Sequence, residues 1–132
     1  MAHAPHTDAL CDSLERYARL VEVGIGRRTD VAEALVARGA SVTATDVHQR
    51  AVPEGVTFVR DDVVDPRLSI YRDADAIYAL NLPPELHRPT LDLARRVDAD
   101  FVFTTLGGDE PTVPVERVTI PGDTLYVARD AP

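Results

Sequence analysis

The sequence predicts an α/β fold, a doubly wound and mainly parallel sheet with helices on both faces and a C-terminal antiparallel β-hairpin. Three observations carry this expectation. Short β-rich apolar runs alternate with amphipathic stretches, without internal repeats. The first such run closes on a glycine pair. Near the end, VERVTI and TLYVAR flank Pro121-Gly122-Asp123, a hairpin signal. Strands separated by helices build parallel sheets, and right-handed crossovers bring the loops after the first, second and fourth strands to one edge. The 132 residues fit one domain, 1–132, able to bury about two-thirds of its unfolded surface.

The elements follow in order. The leading segment, 1–19, carries a helix from Asp8 to Arg19, with Leu10, Leu14, Tyr17 and Ala18 at helical spacing. RLVEVGIG reads as a buried first strand. A second helix runs from Asp30 to Arg38: Asp30 with Glu33 makes a capping-box pattern, Val31, Ala34 and Leu35 form the inner stripe, and Gly39 ends it. Ser41 to Thr45 is the second strand and Val56 to Val59 the third. Pro66 suits the first position of a brief helical turn carrying Leu68 and Ile70. Ala76 to Leu80 is the fourth strand, and PPELHRPTLDLARRV a proline-started helix with Leu86, Leu93, Ala94 and Val97 inward. Phe101 to Thr104 is the fifth strand, and residues 113–130 hold the hairpin.

Composition excludes several classes. An apolar content of 45% reads as globular. No apolar run approaches the ~20 residues that span a bilayer, and the start lacks the basic and apolar blocks of a signal peptide. Cys11 is alone, so no internal disulfide is expected, and a cytoplasmic location follows as the default. The chain carries 22 acidic and 14 basic residues, a formal charge of −8, and all 14 basic residues are Arg. That balance reads as adaptation to a salt-rich cytoplasm, or as an Arg-favouring genome. It argues against broad nucleic-acid binding, which needs clustered Lys and Arg. His3, His6, His48 and His87 show no metal-ligand spacing, and without Lys there is no phosphate-loop motif.

The residues with chemistry cluster after the strands. In Glu22-Val23-Gly24-Ile25-Gly26-Arg27-Arg28, Gly24 and Gly26 permit a tight turn and close approach of a ligand to the backbone. Asp46 lies 22 residues beyond Gly24 at the end of the second strand, where a carboxylate can accept both hydroxyl protons of a ribose. The plainer alternative is a packing turn, with Asp46 capping the next one. In Asp61-Asp62, one carboxylate can accept the amine of an adenine; alternatively the pair is an acidic turn, or a cap before Val63-Val64. Asn81 can bind a polar group while Pro83 and Pro84 stiffen the loop, and His87 can serve as a base; alternatively Asn81 ends a strand, the prolines start a helix and His87 is exposed on it. Gly107-Gly108-Asp109 lies on the same edge or turns the chain, and Arg27 and Arg28 can meet an anion.

These residues resemble class I S-adenosylmethionine-dependent methyltransferases, mainly from Val21 to Leu106. More closely, VEVGIGRRTDVA, VTATDV, FVRDDV, YALNLPPELHRP and FTTLGGDEP resemble, from about Leu20 to Arg129, the uncharacterised archaeal protein family 0146, which shares that Rossmann-like fold. The resemblance implies S-adenosylmethionine as cofactor, with Glu22, Gly24 and Gly26 as the methionine-side loop, Asp46 on the ribose and Asp62 on the adenine amine. It sets Leu80 beside the cofactor, and Asn81, Pro83 and Pro84 beside sulfonium and substrate, with His87 as a proton acceptor. Two departures stand out. Leu82 follows Asn81, and Glu85 stands where nitrogen methyltransferases often have an aromatic, while Arg28 replaces the third small residue of the glycine loop. Two other readings share these residues: a regulatory module for NAD or another adenine nucleotide, and a degenerate fold serving as an interaction scaffold.

Overall fold

The computed structural model describes residues 5–128. Helix α1 covers Pro5–Leu14, strand β1 Arg19–Val23, helix α2 Asp30–Ala37, strand β2 Ser41–Asp46, strand β3 Thr57–Arg60, helix α3 Leu68–Tyr71 and strand β4 Ala76–Ala79. A 3-10 turn at Pro84–Leu86 leads into helix α4, His87–Arg96, followed by strands β5 Asp100–Phe103, β6 Glu116–Ile120 and β7 Asp123–Ala128. These strands form one sheet in the order β3-β2-β1-β4-β5-β7-β6. Strands β1 to β5 pair in parallel, and β7 runs antiparallel to both β5 and β6. The doubly wound sheet with an antiparallel finish is thus the architecture expected above.

Side-chain alternation along the central strands divides the core into two layers. Leu20, Ala76 and Tyr78 face Leu10, Leu14, Val31 and Leu35 of α1 and α2. Val21, Val23, Ile77 and Ala79 face Tyr71, Leu91, Leu93 and Ala94 of α3 and α4, with Phe101 and Phe103 buried among them. Both faces of β1 and β4 are covered, which is why these strands read as continuous apolar runs. Among the described residues no helix is long and apolar enough to cross a membrane.

Several local expectations change. Helix α1 ends at Leu14 rather than Arg19, because Arg19 is already paired with Ser41 in the sheet and the chain needs residues 15–18 to cross from helix to strand. Tyr17 leaves the expected helical stripe, and its hydroxyl donates to Asp100 Oδ2 at 2.8 Å. The capping box on α2 does not form. Thr29 holds the cap position without a side-chain bond, while Asp30 accepts from the Thr7 hydroxyl of α1 and pairs with Arg28 at 3.1 Å. Gly39, at φ +97°, does end the helix, as expected.

Pro66 precedes the cap residue Arg67 instead of opening α3. No helix joins β2 to β3. Residues 47–56 form an irregular connection whose Pro53 and Gly55 disfavour helix, and that connection adds a wall to the site described next. The hairpin turns at Pro121-Gly122, with Ile120 opposite Asp123; residues 129 and 130, expected at its end, lie outside the described residues.

Candidate functional site

The C-terminal ends of β1, β2, β3 and β4 border a cavity of about 430 Å³. That size lies in the range of small-molecule sites. Its floor begins with the loop after β1. Gly24 and Gly26 have φ of +69° and +56°, a left-handed conformation that side chains with a Cβ rarely adopt. The buried Ile25 anchors the loop below, and the amides of Gly24 and Ile25 both donate to Thr45 O at the end of β2. The loop therefore lies against the end of β2, directly beside Asp46.

Asp46 is 7% exposed. Its Oδ2 accepts the Gly26 amide at 2.9 Å and its Oδ1 the His48 amide at 2.9 Å. The Arg50 guanidinium lies at 3.4 Å from Oδ2. Burial pushes the carboxyl pKa up, but the two amide donors and Arg50 outweigh it and hold the group below its ordinary value. An ionised carboxylate has about four lone-pair sites, so each oxygen can still accept another bond. Asp46 thus caps the turn, as the plainer alternative has it, and also borders the cavity.

The next wall separates two neighbouring acids. Asp61 accepts the Tyr71 hydroxyl at 2.7 Å and the Arg67 amide and Nε at 3.3 Å, which leaves it committed to holding β3 against α3. Asp62 is exposed, and its Oδ1 takes the Val64 amide at 2.9 Å, the cap that was the alternative to an adenine contact. The other oxygen of Asp62 remains open to a ligand.

Across the cavity stand Leu80, Asn81, Leu82, Pro83 and Leu86. Asn81 is a non-glycine residue at φ +53°, a strained conformation that Asn tolerates better than most. The strain is held by Thr104, just after β5, whose hydroxyl accepts the Asn81 amide at 2.8 Å and whose carbonyl accepts the Leu82 amide at 2.9 Å. The Asn81 side chain remains exposed at the rim. Pro83 borders the cavity too, while Pro84 starts the 3-10 turn behind it, its carbonyl accepting the Thr112 hydroxyl.

Two sequence candidates stand apart. His87 is fully buried rather than exposed on its helix. Its Nε2–H donates to Leu82 O at 2.9 Å, and its Nδ1 accepts the Thr112 amide at 3.1 Å. Those partners demand the neutral tautomer and leave no lone pair for a substrate proton. The ring also packs on Phe103 at 4.7 Å between centroids. His87→Ala is expected to lower stability by about 3 kcal/mol, through a cavity and two orphaned main-chain groups. Urea denaturation at neutral pH measures this.

Glu22 is the other. It is 1% exposed, on the α1–α2 side of the sheet, and accepts the Tyr78 hydroxyl at 2.7 Å. Burial raises its pKa to about 8 against the opposing pull of that hydroxyl and of Arg28. A neutral acid beneath the glycine loop thus supports the site without bordering it. The structure brings Gly24, Gly26, Asp46, Asp62, Leu80, Asn81 and Pro83 to one cavity. It adds Arg50 and the apolar lining of Val23, Val47, Val63 and Leu86, which the motifs did not single out. The spacing of Leu86 with Leu93, Ala94 and Val97 does place Leu86 inward, at the end of the 3-10 turn, whereas nothing local signals Arg50.

A glycine loop after β1, an acid at the end of β2 and an antiparallel β7 inserted beside β5 define a methyltransferase-like Rossmann fold. The chain is similar to an RNA methyltransferase of Salinibacter ruber, solved in complex with S-adenosyl-L-homocysteine, at a TM-score of 0.65 and 18% identity over 96% of this chain and 91% of that one. It is likewise similar to a TehB-like S-adenosylmethionine-dependent methyltransferase of Corynebacterium glutamicum, at a TM-score of 0.61 and 18% identity over 92% of this chain and 85% of that one. The chain belongs to the uncharacterised protein family UPF0146, which it matches over residues 7–131. A UPF0146 protein of Halobacterium salinarum is 56% identical over 119 residues, 89% of this chain and 92% of the relative. One of Archaeoglobus fulgidus is 50% identical over 91 residues, 69% of this chain and 70% of the relative.

Proposed function

We propose that this protein binds S-adenosylmethionine in the cavity at the sheet edge, as a methyltransferase-like protein acting on a small acceptor. The observation that carries the reading is the meeting of the Gly24–Gly26 loop with a buried, ionised Asp46 that keeps one acceptor position free on each oxygen. That donor set fits an adenosine ligand. Asp46 would take the ribose hydroxyls, Asp62 the adenine amine through its open oxygen, and Leu80 and Val63 the apolar faces. Gly24 and Gly26 would admit the methionine portion close to the backbone.

When bound, the cofactor supplies an electrophilic methyl group on a sulfonium. Asn81, strained at the rim, would orient the acceptor through its free amide, and Pro83 would keep that loop rigid; such a site works mainly through proximity and orientation. His87 contributes rigidity rather than proton transfer. Structural neighbours crystallised with S-adenosylhomocysteine bind it in their own right, and they support the reading through the shared fold. The formal charge of −8 favours a small acceptor over a long polyanion, and it is consistent with a salt-rich cytoplasm, the setting we assign to the protein.

Thermal unfolding in molar KCl tests this. With S-adenosylmethionine, S-adenosylhomocysteine, NAD, NADP or ATP each supplied at about 100 times its dissociation constant, a true ligand adds about 2.7 kcal/mol, or several degrees. The expected result is a shift with the two sulfur compounds alone. A shift only with NAD or ATP would replace the assignment by a nucleotide-sensing module, and no shift with any of them would leave an interaction scaffold.

A further inference from the structure

Arg50 lies in the irregular connection after β2, a segment whose pattern announces no function. Its side chain borders the same cavity as Asp46. The Nε atom is buried and has no hydrogen-bond partner, although Asp46 Oδ2 lies only 3.4 Å away. The contact is close enough for an ion pair, but it lacks hydrogen-bond alignment. A buried donor without an acceptor is costly, and here the residue that carries it lines a cavity. Asp46 beside it has the converse surplus, an acceptor position open on each oxygen.

An unpaired donor next to an open acceptor is complementary to a hydroxyl group. The hydroxyl proton goes to the carboxylate, and the hydroxyl oxygen accepts from Nε–H. A phosphate fits poorly at the same place, because Asp46, Asp61 and Asp62 set three carboxylates on this cavity against one guanidinium. We infer that Arg50 is a ligand-binding and specificity-determining residue that, together with Asp46, reads one hydroxyl of an unphosphorylated ribose as both donor and acceptor. The inference rests on the adenosine reading of the cavity. It does not depend on which adenosine compound is the natural one.

Calorimetric titration of the full chain at fixed salt tests it. The ligands are S-adenosylhomocysteine, NAD, adenosine, 2′-deoxyadenosine and 3′-deoxyadenosine, with Arg50→Met and Arg50→Lys as variants. Arg50→Met keeps the apolar stem, and Arg50→Lys keeps the charge without the Nε donor. Melting of each variant without ligand verifies folding. The wild type is expected to disfavour both deoxy compounds, and one of them about tenfold more than the other. Both variants are expected to lose about tenfold in affinity for S-adenosylhomocysteine and to lose that discrimination. Equal or tighter binding by the variants would overturn the inference and leave Arg50 as a mere counter-ion of Asp46. If the wild type ignores S-adenosylhomocysteine but binds NAD or adenosine with the same dependence on Arg50, the ribose reading stands and the proposed cofactor falls. If no ribose compound binds a folded wild type, both are overturned.

Discussion

Asp46→Ala is expected to weaken binding of S-adenosylhomocysteine by at least about a hundredfold. Hydrogen bonds to a charged acceptor contribute about 1.5–3 kcal/mol each, and under the proposed assignment two ribose hydroxyls lose theirs at once. The same change should destabilise the free protein by about 2–4 kcal/mol, because the Gly26 and His48 amides lose their acceptor and the glycine loop loses its tie to β2. The two effects separate cleanly. Denaturation without ligand reads the second, and titration well below the melting temperature reads the first. The pH dependence has a definite sign. The folded carboxyl pKa lies below its unfolded value, so the stability it contributes is present above about pH 4 and disappears as pH falls through the folded value. Asp46→Ala should therefore lose least, relative to wild type, in acid.

Glu22→Gln should behave in the opposite way. The folded pKa is raised by burial to about 8 from an ordinary 4.5, so between those values the native state holds a proton that the unfolded state releases. Wild-type stability then falls as pH rises through this window, by up to about 1.4 kcal/mol per unit from this group. Gln accepts the same Tyr78 hydroxyl bond and does not titrate. The variant should match the wild type near pH 4.5 and exceed its stability by about 3 kcal/mol or more at pH 8. Melting temperatures of both proteins across pH 5–9 measure the difference. A gap that stays constant with pH would mean that Glu22 is ionised in the folded protein, held by Arg28.

The contrast between these two acids shows how far the sequence could be read. Asp46 announced itself, since an acid closing a β-rich run at the right distance from a glycine pair is a local pattern. Glu22 sits inside that same pattern, yet its fate was decided by Tyr78, on a strand 56 residues away that pairs beside β1. The strands were legible because burial on both faces leaves continuous apolar runs. Helix α2 and the hairpin were legible from Gly39 and Pro121-Gly122. The end of α1 was not, because Arg19 and the residues before it obey the sheet rather than their own helical spacing. His87 looked exposed because the helical pattern of its neighbours says nothing of Thr112 and Phe103, which close over it. Arg50 gave no signal at all. Its position depends on how an irregular connection folds back on Asp46, and no periodicity encodes that.

The central claim is an adenosine cofactor site at the sheet edge. Its most direct test is calorimetric titration of the wild type and Asp46→Ala with S-adenosylhomocysteine, in molar KCl and below both melting temperatures. The expected result is saturable one-to-one binding by the wild type and a loss of at least about a hundredfold in the variant. No binding by a folded wild type, or equal binding by both proteins, would contradict it.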